Sequence, residues 1–143
     1  MKLSTICYIE QDDKYLMLHR IKKHQDVNEG KWIGVGGKME AGESPDECIA
    51  REVLEETGLT LVQPRLRGII TFISAGWDDE LIFLYTGQAE GTMLPDCDEG
   101  ILRWCPSTKW IRSISGPATA FSCASCAKRR IAFPSNYPIR AMT

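Results

Sequence analysis

Between Gly37 and Leu59 the chain reads GKMEAGESPDECIAREVLEETGL. These 23 residues carry Glu40, Glu43, Glu47, Glu52, Glu55 and Glu56, and Gly37, Gly42 and Gly58 punctuate them. Carboxylates packed this densely repel one another unless positive charge sits among them. The stretch supplies only Lys38 and Arg51. A hard divalent cation is the natural remainder, because Mg²⁺ prefers oxygen ligands and couples one or two carboxylates to a phosphate.

The local grammar predicts a helix over Pro45 to Thr57. Ser44 is a good N-cap, Pro45 suits the first helical position and Glu47 completes a capping box. Gly58 is a natural terminator in the left-handed conformation. On such a helix Glu52, Glu55 and Glu56 stand at i, i+3 and i+4 and share a face. Ile49 and Val53 mark a neighbouring apolar stripe that can pack on a sheet. An acidic run is by itself most often a solvated helix face. Here the acids cluster on one face instead of alternating with Lys. The approach Gly34-Val35-Gly36-Gly37 also lets backbone come close to a ligand.

Gly37, five residues, Glu43, seven residues, then Arg51-Glu52-Val53-Leu54-Glu55-Glu56-Thr57-Gly58-Leu59 resembles the Nudix box, with every defining position filled. The lead-in from Lys31 to Lys38 is similar to that of MutT-type members of that family. Asp98-Glu99 and the strand-like Ile101 to Trp104 resemble their late acidic turn and strand. The resemblance implies an α/β fold, an α/β/α sandwich with a mixed sheet and the box helix. It also implies a reaction: water attacks phosphorus in a nucleoside diphosphate linked to another group, with Mg²⁺ as cofactor and Mn²⁺ as a substitute. Glu52, Glu55, Glu56 and the Gly37 carbonyl are then the expected metal ligands. One of these glutamates, or Glu99 from the later loop, is the expected general base, and Glu52, Glu55, Glu99 and Arg51 form the catalytic set. Arg51 is expected to orient the glutamates. Lys38 and Arg20 are candidate phosphate contacts.

At 143 residues the chain is long enough for one domain with a real core. No apolar run approaches the length of a membrane span, and the start MKLSTICYIEQDD turns polar too soon for a signal peptide. Six cysteines lack the spacing of a disulfide scaffold, so the cytoplasm is the expected location. Lys2 to Ile9 and Lys14 to Arg20 read as strands joined by the turn Gln11-Asp12-Asp13. Trp32 to Gly37 reads as a short strand entering the loop. Beyond the helix, Leu59 to Arg67, Gly68 to Ser74, Glu80 to Ala89 and Ile101 to Cys105 are strand-like.

The chain divides into residues 1–106, a Nudix hydrolase domain by resemblance, and residues 107–143, an atypical basic segment. All 19 acidic residues and 10 of the 17 basic ones precede Gly100, a net of −9. Residues 100–143 hold no acid and the other 7 basic residues, with no sustained helical period. Three accounts fit: a basic tail that touches nucleic acid or an acidic partner, a variant ending of the same domain, or a reading-frame change in the gene near codons 106 to 110. Cys123-Ala124-Ser125-Cys126 is a CxxC without two further ligands of paired spacing, so neither a zinc site nor a redox motif is expected. Lys128-Arg129-Arg130 lacks interleaved aromatic residues, and nucleic acid is not the expected partner. The expected partner is a small-molecule nucleotide; no membrane is expected, and a homodimer stays open.

Downstream of the box, Ser74, Ala75, Gly76 and Trp77 fill the places where other branches of the family carry a distinguishing Pro or Tyr. By elimination the chain looks like the MutT-type nucleoside triphosphate group, whose members release pyrophosphate and a monophosphate, often from oxidised substrates such as 8-oxo-dGTP. ADP-ribose or another diphosphate-linked nucleoside is the alternative, and an inactive nucleotide-binding domain is a further one. One branch carries a base-reading Asn after the lead-in Trp; here that residue is Ile33. Thr5, Phe72, Phe83 and Trp32 are candidate base contacts, each also readable as sheet or core packing.

Overall fold

The computed structural model describes residues 1–21, 32–73, 76, 78–94, 97–98, 100–106 and 141–142. Strands β1 (Lys2–Gln11) and β2 (Lys14–Arg20) form an antiparallel hairpin, paired at Glu10 with Tyr15 and at Gln11 with Lys14. Asp12 and Asp13 both have positive φ, 51° and 58°. Two such residues make the tight turn whose twist matches paired strands, and Asp tolerates that region better than most side chains. The strand therefore runs through Gln11, which the sequence pattern assigns to the turn.

The two-residue strand β3 (Trp32–Ile33) pairs with β2. The chain then zips along the outer edge of β1. Cys7 and Val35 exchange backbone hydrogen bonds of 2.7 and 3.0 Å, the Thr5 amide donates to the Gly37 carbonyl at 2.9 Å and the Met39 amide to Leu3 at 3.0 Å. Glycine is required for that approach: a Cβ at Gly36 would lie 2.1 Å from the Thr5 carbonyl oxygen.

Helix α1 (Pro45–Thr57) has the bounds its caps dictate. The Glu47 amide donates to the Ser44 hydroxyl and the Ser44 amide to the Glu47 carboxylate at 2.8 Å. Gly58, at φ 73°, closes the far end by donating to the Leu54 carbonyl. After the helix come β4 (Thr60–Phe72), β5 (Glu80–Glu90), β6 (Gly100–Pro106) and β7 (Ala141–Met142). The two strands expected over 59–74 are one. Register shifts against β5 between Val62 and Arg65 and between Leu66 and Gly68 leave Pro64 and Arg67 in bulges, and Gly68 pairs with Leu84, so neither Pro64 nor Gly68 breaks the strand.

The sheet is mixed, in the order β3-β2-β1-β5-β4-β7, with β6 paired to β2. β1 and β5 run parallel in the register Thr5–Phe83, Cys7–Tyr85 and Ile9–Gly87, while β4 is antiparallel to β5. Cys48, Ile49 and Val53 of α1 are fully buried, and Ile49 and Val53 share one core with Cys7, Ile9, Val35 and Tyr85. Burying a side chain of the size of Ile49 or Val53 stabilises by about 1.5–3 kcal/mol, so this contact fixes the helix against β1. Residues 107–140, which include the CxxC, lie outside the described residues. No helix among the described residues is long and apolar enough to cross a membrane.

Candidate active site

The site forms where the edge segment 34–39 leaves β1 and α1 begins. The loop closes on itself first: the Glu40 amide donates to Glu43 Oε2 at 2.9 Å. Arg51, two turns into the helix, then gathers the loop and the helix around its guanidinium. Its Nε and Nη2 donate to the two oxygens of Glu43 at 2.7 and 3.0 Å, a bidentate pair. Nη2 also donates to the Lys38 carbonyl at 3.1 Å. Nη1 reaches Glu52 Oε1 at 2.8 Å and Glu55 Oε2 at 3.2 Å. The Glu43 side chain is only 12% exposed in this position. The Arg51 guanidinium, with the Glu40 amide, holds its carboxyl down at about 2. Glu43 foremost, then Glu52, pushes Arg51 above its already high ordinary value.

The helix carboxylates stand in three different settings. The Glu52 carboxylate lies against Gly37, where a Cβ would fall 2.5 Å from its carbon and from both its oxygens. Glu55 is 59% exposed on its side chain. Glu56 is 8% exposed and belongs to the buried face of the helix. Three carboxylates, from Glu43, Glu52 and Glu55, thus share the Arg51 guanidinium. Glu52, Glu55 and Glu56 occupy the C-terminal half of α1, whose last turn has no basic residue. The negative end of the helix dipole adds to this excess, so a cation bound beside Glu52, Glu55 and Glu56 would relieve both.

The donor set fits a hard divalent ion: carboxylate oxygens plus the Gly37 carbonyl, with no sulfur or imidazole required. The Gly37 oxygen spends one lone pair on the Thr5 amide, and the Cys48 thiol lies 3.8 Å from the same oxygen. Among the described residues no three His, Cys, Asp or Glu side chains stand together as a group that could hold a metal ion. Glu52 and Glu55 each give an oxygen to Arg51.

The fold brings Gly37, Lys38, Arg51, Glu52 and Glu55 together, while Glu99 lies outside the described residues. The Lys38 side chain is exposed, and its backbone carbonyl is the part that Arg51 engages. Thr5 is 3% exposed, with its hydroxyl 3.2 Å from Cys48 Sγ. Phe83 stands beside Thr5 on β5 and packs against the core. Phe72 ends β4 opposite Glu80. Arg20 ends β2 opposite Gly100. Trp32 is 4% exposed and stacks on His19, with ring centroids 4.5 Å apart and the Arg103 guanidinium 5.7 Å from the indole. Ile33 packs against the core.

Sequence reasoning did not assign Glu43 its structural part, although its box spacing from Arg51 carried the signal. Tyr85, whose hydroxyl donates to Asp46 in the first turn of α1, had no signal at all. A strand residue and a helix residue 39 positions apart meet only through the fold.

The NUDIX domain model matches residues 2–114. The uncharacterized Nudix hydrolase YvcI of Bacillus subtilis is 34% identical over 105 residues, covering 70% of this chain and 63% of the relative. The oxidized purine nucleoside triphosphate hydrolase of Danio rerio is 34% identical over 89 residues, covering 62% of this chain and 54% of the relative. The chain thus spans somewhat more than half the length of these two relatives. Among solved structures, the MutT protein from Bacillus halodurans superposes with a TM-score of 0.60 at 34% identity, covering 73% of this chain and 67% of that one.

Proposed function

The chain belongs to the NUDIX domain family, and from that premise we propose that it is a divalent-metal-dependent pyrophosphohydrolase of nucleoside triphosphates. One observation carries the reading: Arg51 gathers Glu43 from the loop before α1 and Glu52 and Glu55 from its C-terminal half, and leaves an excess of carboxylate beside the Gly37 carbonyl. A polyanionic triphosphate would be repelled by such a site unless a cation lay between them.

Glu52, Glu55, Glu56 and the Gly37 carbonyl would hold Mg²⁺, or Mn²⁺ in its place. A divalent cation there would polarise the phosphoryl oxygens and lower the pKa of an attacking water. Arg51 binds one oxygen each of Glu52 and Glu55, which orients both carboxylates before substrate arrives. Glu55, the more exposed of the two, would take the proton from the water as it attacks phosphorus. The products are the nucleoside monophosphate and pyrophosphate.

The triphosphate class rests on the similarity to the Danio rerio hydrolase. An oxidised purine such as 8-oxo-dGTP is the first substrate to try. ADP-ribose and other diphosphate-linked nucleosides are the alternative class.

The test is a product analysis with Mg²⁺ and a panel of dGTP, 8-oxo-dGTP, dCTP, ATP and ADP-ribose, with Glu56→Gln as the blank. Metal-dependent release of pyrophosphate from a triphosphate, lost in the variant, is expected. AMP from ADP-ribose with no triphosphate cleaved would move the chain to the alternative class. No turnover of any substrate by a folded protein would sink the hydrolase reading.

A further inference from the structure

We propose that Thr5 is a positioning residue for the Gly37 carbonyl, and that it acts by accepting the hydrogen bond of the Cys48 thiol. The inference rests on the reading of Gly37 as a metal ligand and adds a control on that ligand.

Three groups meet behind the carbonyl. Its oxygen accepts the Thr5 backbone amide at 2.9 Å, which anchors its direction to β1. Cys48 Sγ lies 3.8 Å from the same oxygen and 3.2 Å from the Thr5 hydroxyl. Arg51 Nη2 stands 3.7 Å from that sulfur. Cys48 is fully buried.

One thiol proton serves one acceptor at a time. When it points at Gly37 it occupies the lone pair that a cation needs. When it points at the Thr5 hydroxyl that lone pair is open. Thr5 is therefore the alternative acceptor that lets the carbonyl turn from a hydrogen-bond acceptor into a metal ligand. Valine at position 5 keeps the shape, the β-branch and the backbone amide but removes the alternative. The thiol is then left with the carbonyl, and the ion must compete with it.

The experiment measures Mn²⁺ binding to the full chain without nucleotide, by the electron paramagnetic resonance of free Mn²⁺, with thermal melts alongside. Thr5→Val is expected to weaken Mn²⁺ binding by about tenfold, the low end of the effect of outer-shell substitutions. Thr5→Ser should restore it. Thr5→Val combined with Cys48→Ala should also restore it, because the competing donor is gone, a recovery that plain loss of packing would not produce. Cys48→Ala alone should bind Mn²⁺ at least as tightly as the parent. Unchanged binding in Thr5→Val, no recovery in the double variant, or weaker binding in Cys48→Ala alone would overturn the proposal. A parent protein that binds no Mn²⁺ would overturn the metal-ligand reading of Gly37 and this inference with it.

Discussion

The carboxylate of Glu52 rests on the bare Cα of Gly37, so close that a methyl group there would sit 2.5 Å from both of its oxygens. The glycine that opens the carboxylate-rich stretch is thus a seat for the first glutamate of the helix, as well as a flexible point in the loop. Helix and loop interlock at that position. Gly37→Ala is expected to displace Glu52 and to lower kcat/KM by about a hundredfold, the scale of an ångström-sized misplacement. Circular dichroism should show the helix intact. Activity within a few-fold of the parent would show that Glu52 is not held where it works.

Arg51 makes a planar fork onto Glu43 and separate contacts to Glu52, Glu55 and the Lys38 carbonyl. An ammonium cannot make that set of bonds. Arg51→Lys should therefore keep the charge and still lose activity and stability. NMR titration of the side-chain carboxyl carbons is the readout: the Glu43 carboxyl should rise from about 2 towards its ordinary value of 4.5. A Glu43 titration identical in the two proteins would show that the fork is not what holds it down.

The same pair sets an acid limit on stability. The Glu43 carboxyl sits lower in the folded chain, at about 2, than its ordinary value of 4.5. Its contribution is complete above pH 4.5 and is lost as pH falls towards 2. Tm should accordingly stay flat with respect to this group above about pH 5 and fall below it. Glu43→Gln should make that acid limb shallower. An unchanged limb would mean that other carboxyls cause the fall.

The Tyr85 hydroxyl, on the floor of the sheet, donates to Asp46 at the entrance of α1. Tyr85→Phe removes that bond and keeps the ring. The expected loss is about 1.5–3 kcal/mol, as for a hydrogen bond to a charged group, or roughly 4–10 °C in Tm. The change in KM for nucleotide should be small, because the bond lies at the far end of the helix from Glu55 and Glu56. A larger effect on kcat than on Tm would place Tyr85 in the catalytic machinery.

Elements with local causes are legible in the order of residues alone. The helix runs from Pro45 to Thr57, as its capping box and terminal glycine dictate. The hairpin closes at Asp12-Asp13, two polar residues that accept a left-handed backbone. Leu59 to Ser74 is less legible. Gly68 and Pro64 look like breaks in one dimension, and only pairing with β5 sets Gly68 opposite Leu84 and takes up Pro64 in a bulge of one strand. Lys38 reads as a charge for phosphate, yet the group that the fold uses is its backbone carbonyl, to which no side-chain pattern points.

The order of residues from Gly37 to Leu59 determined the helix, the face its glutamates share and the need for positive charge among them, because spacing along a helix and the repulsion of carboxylates are local physics. Only the tertiary structure decided which atoms neutralise which. Arg51 chooses Glu43 over solvent because the 34–39 segment is zipped to β1. Gly37 meets Glu52, and Thr5 meets Cys48, because the loop is hydrogen-bonded along β1 and the helix packs against both. Contacts between residues 15 to 43 positions apart depend on how the sheet is ordered, and the sheet is ordered by burial of Cys7, Ile9, Val35, Ile49 and Val53 in one core.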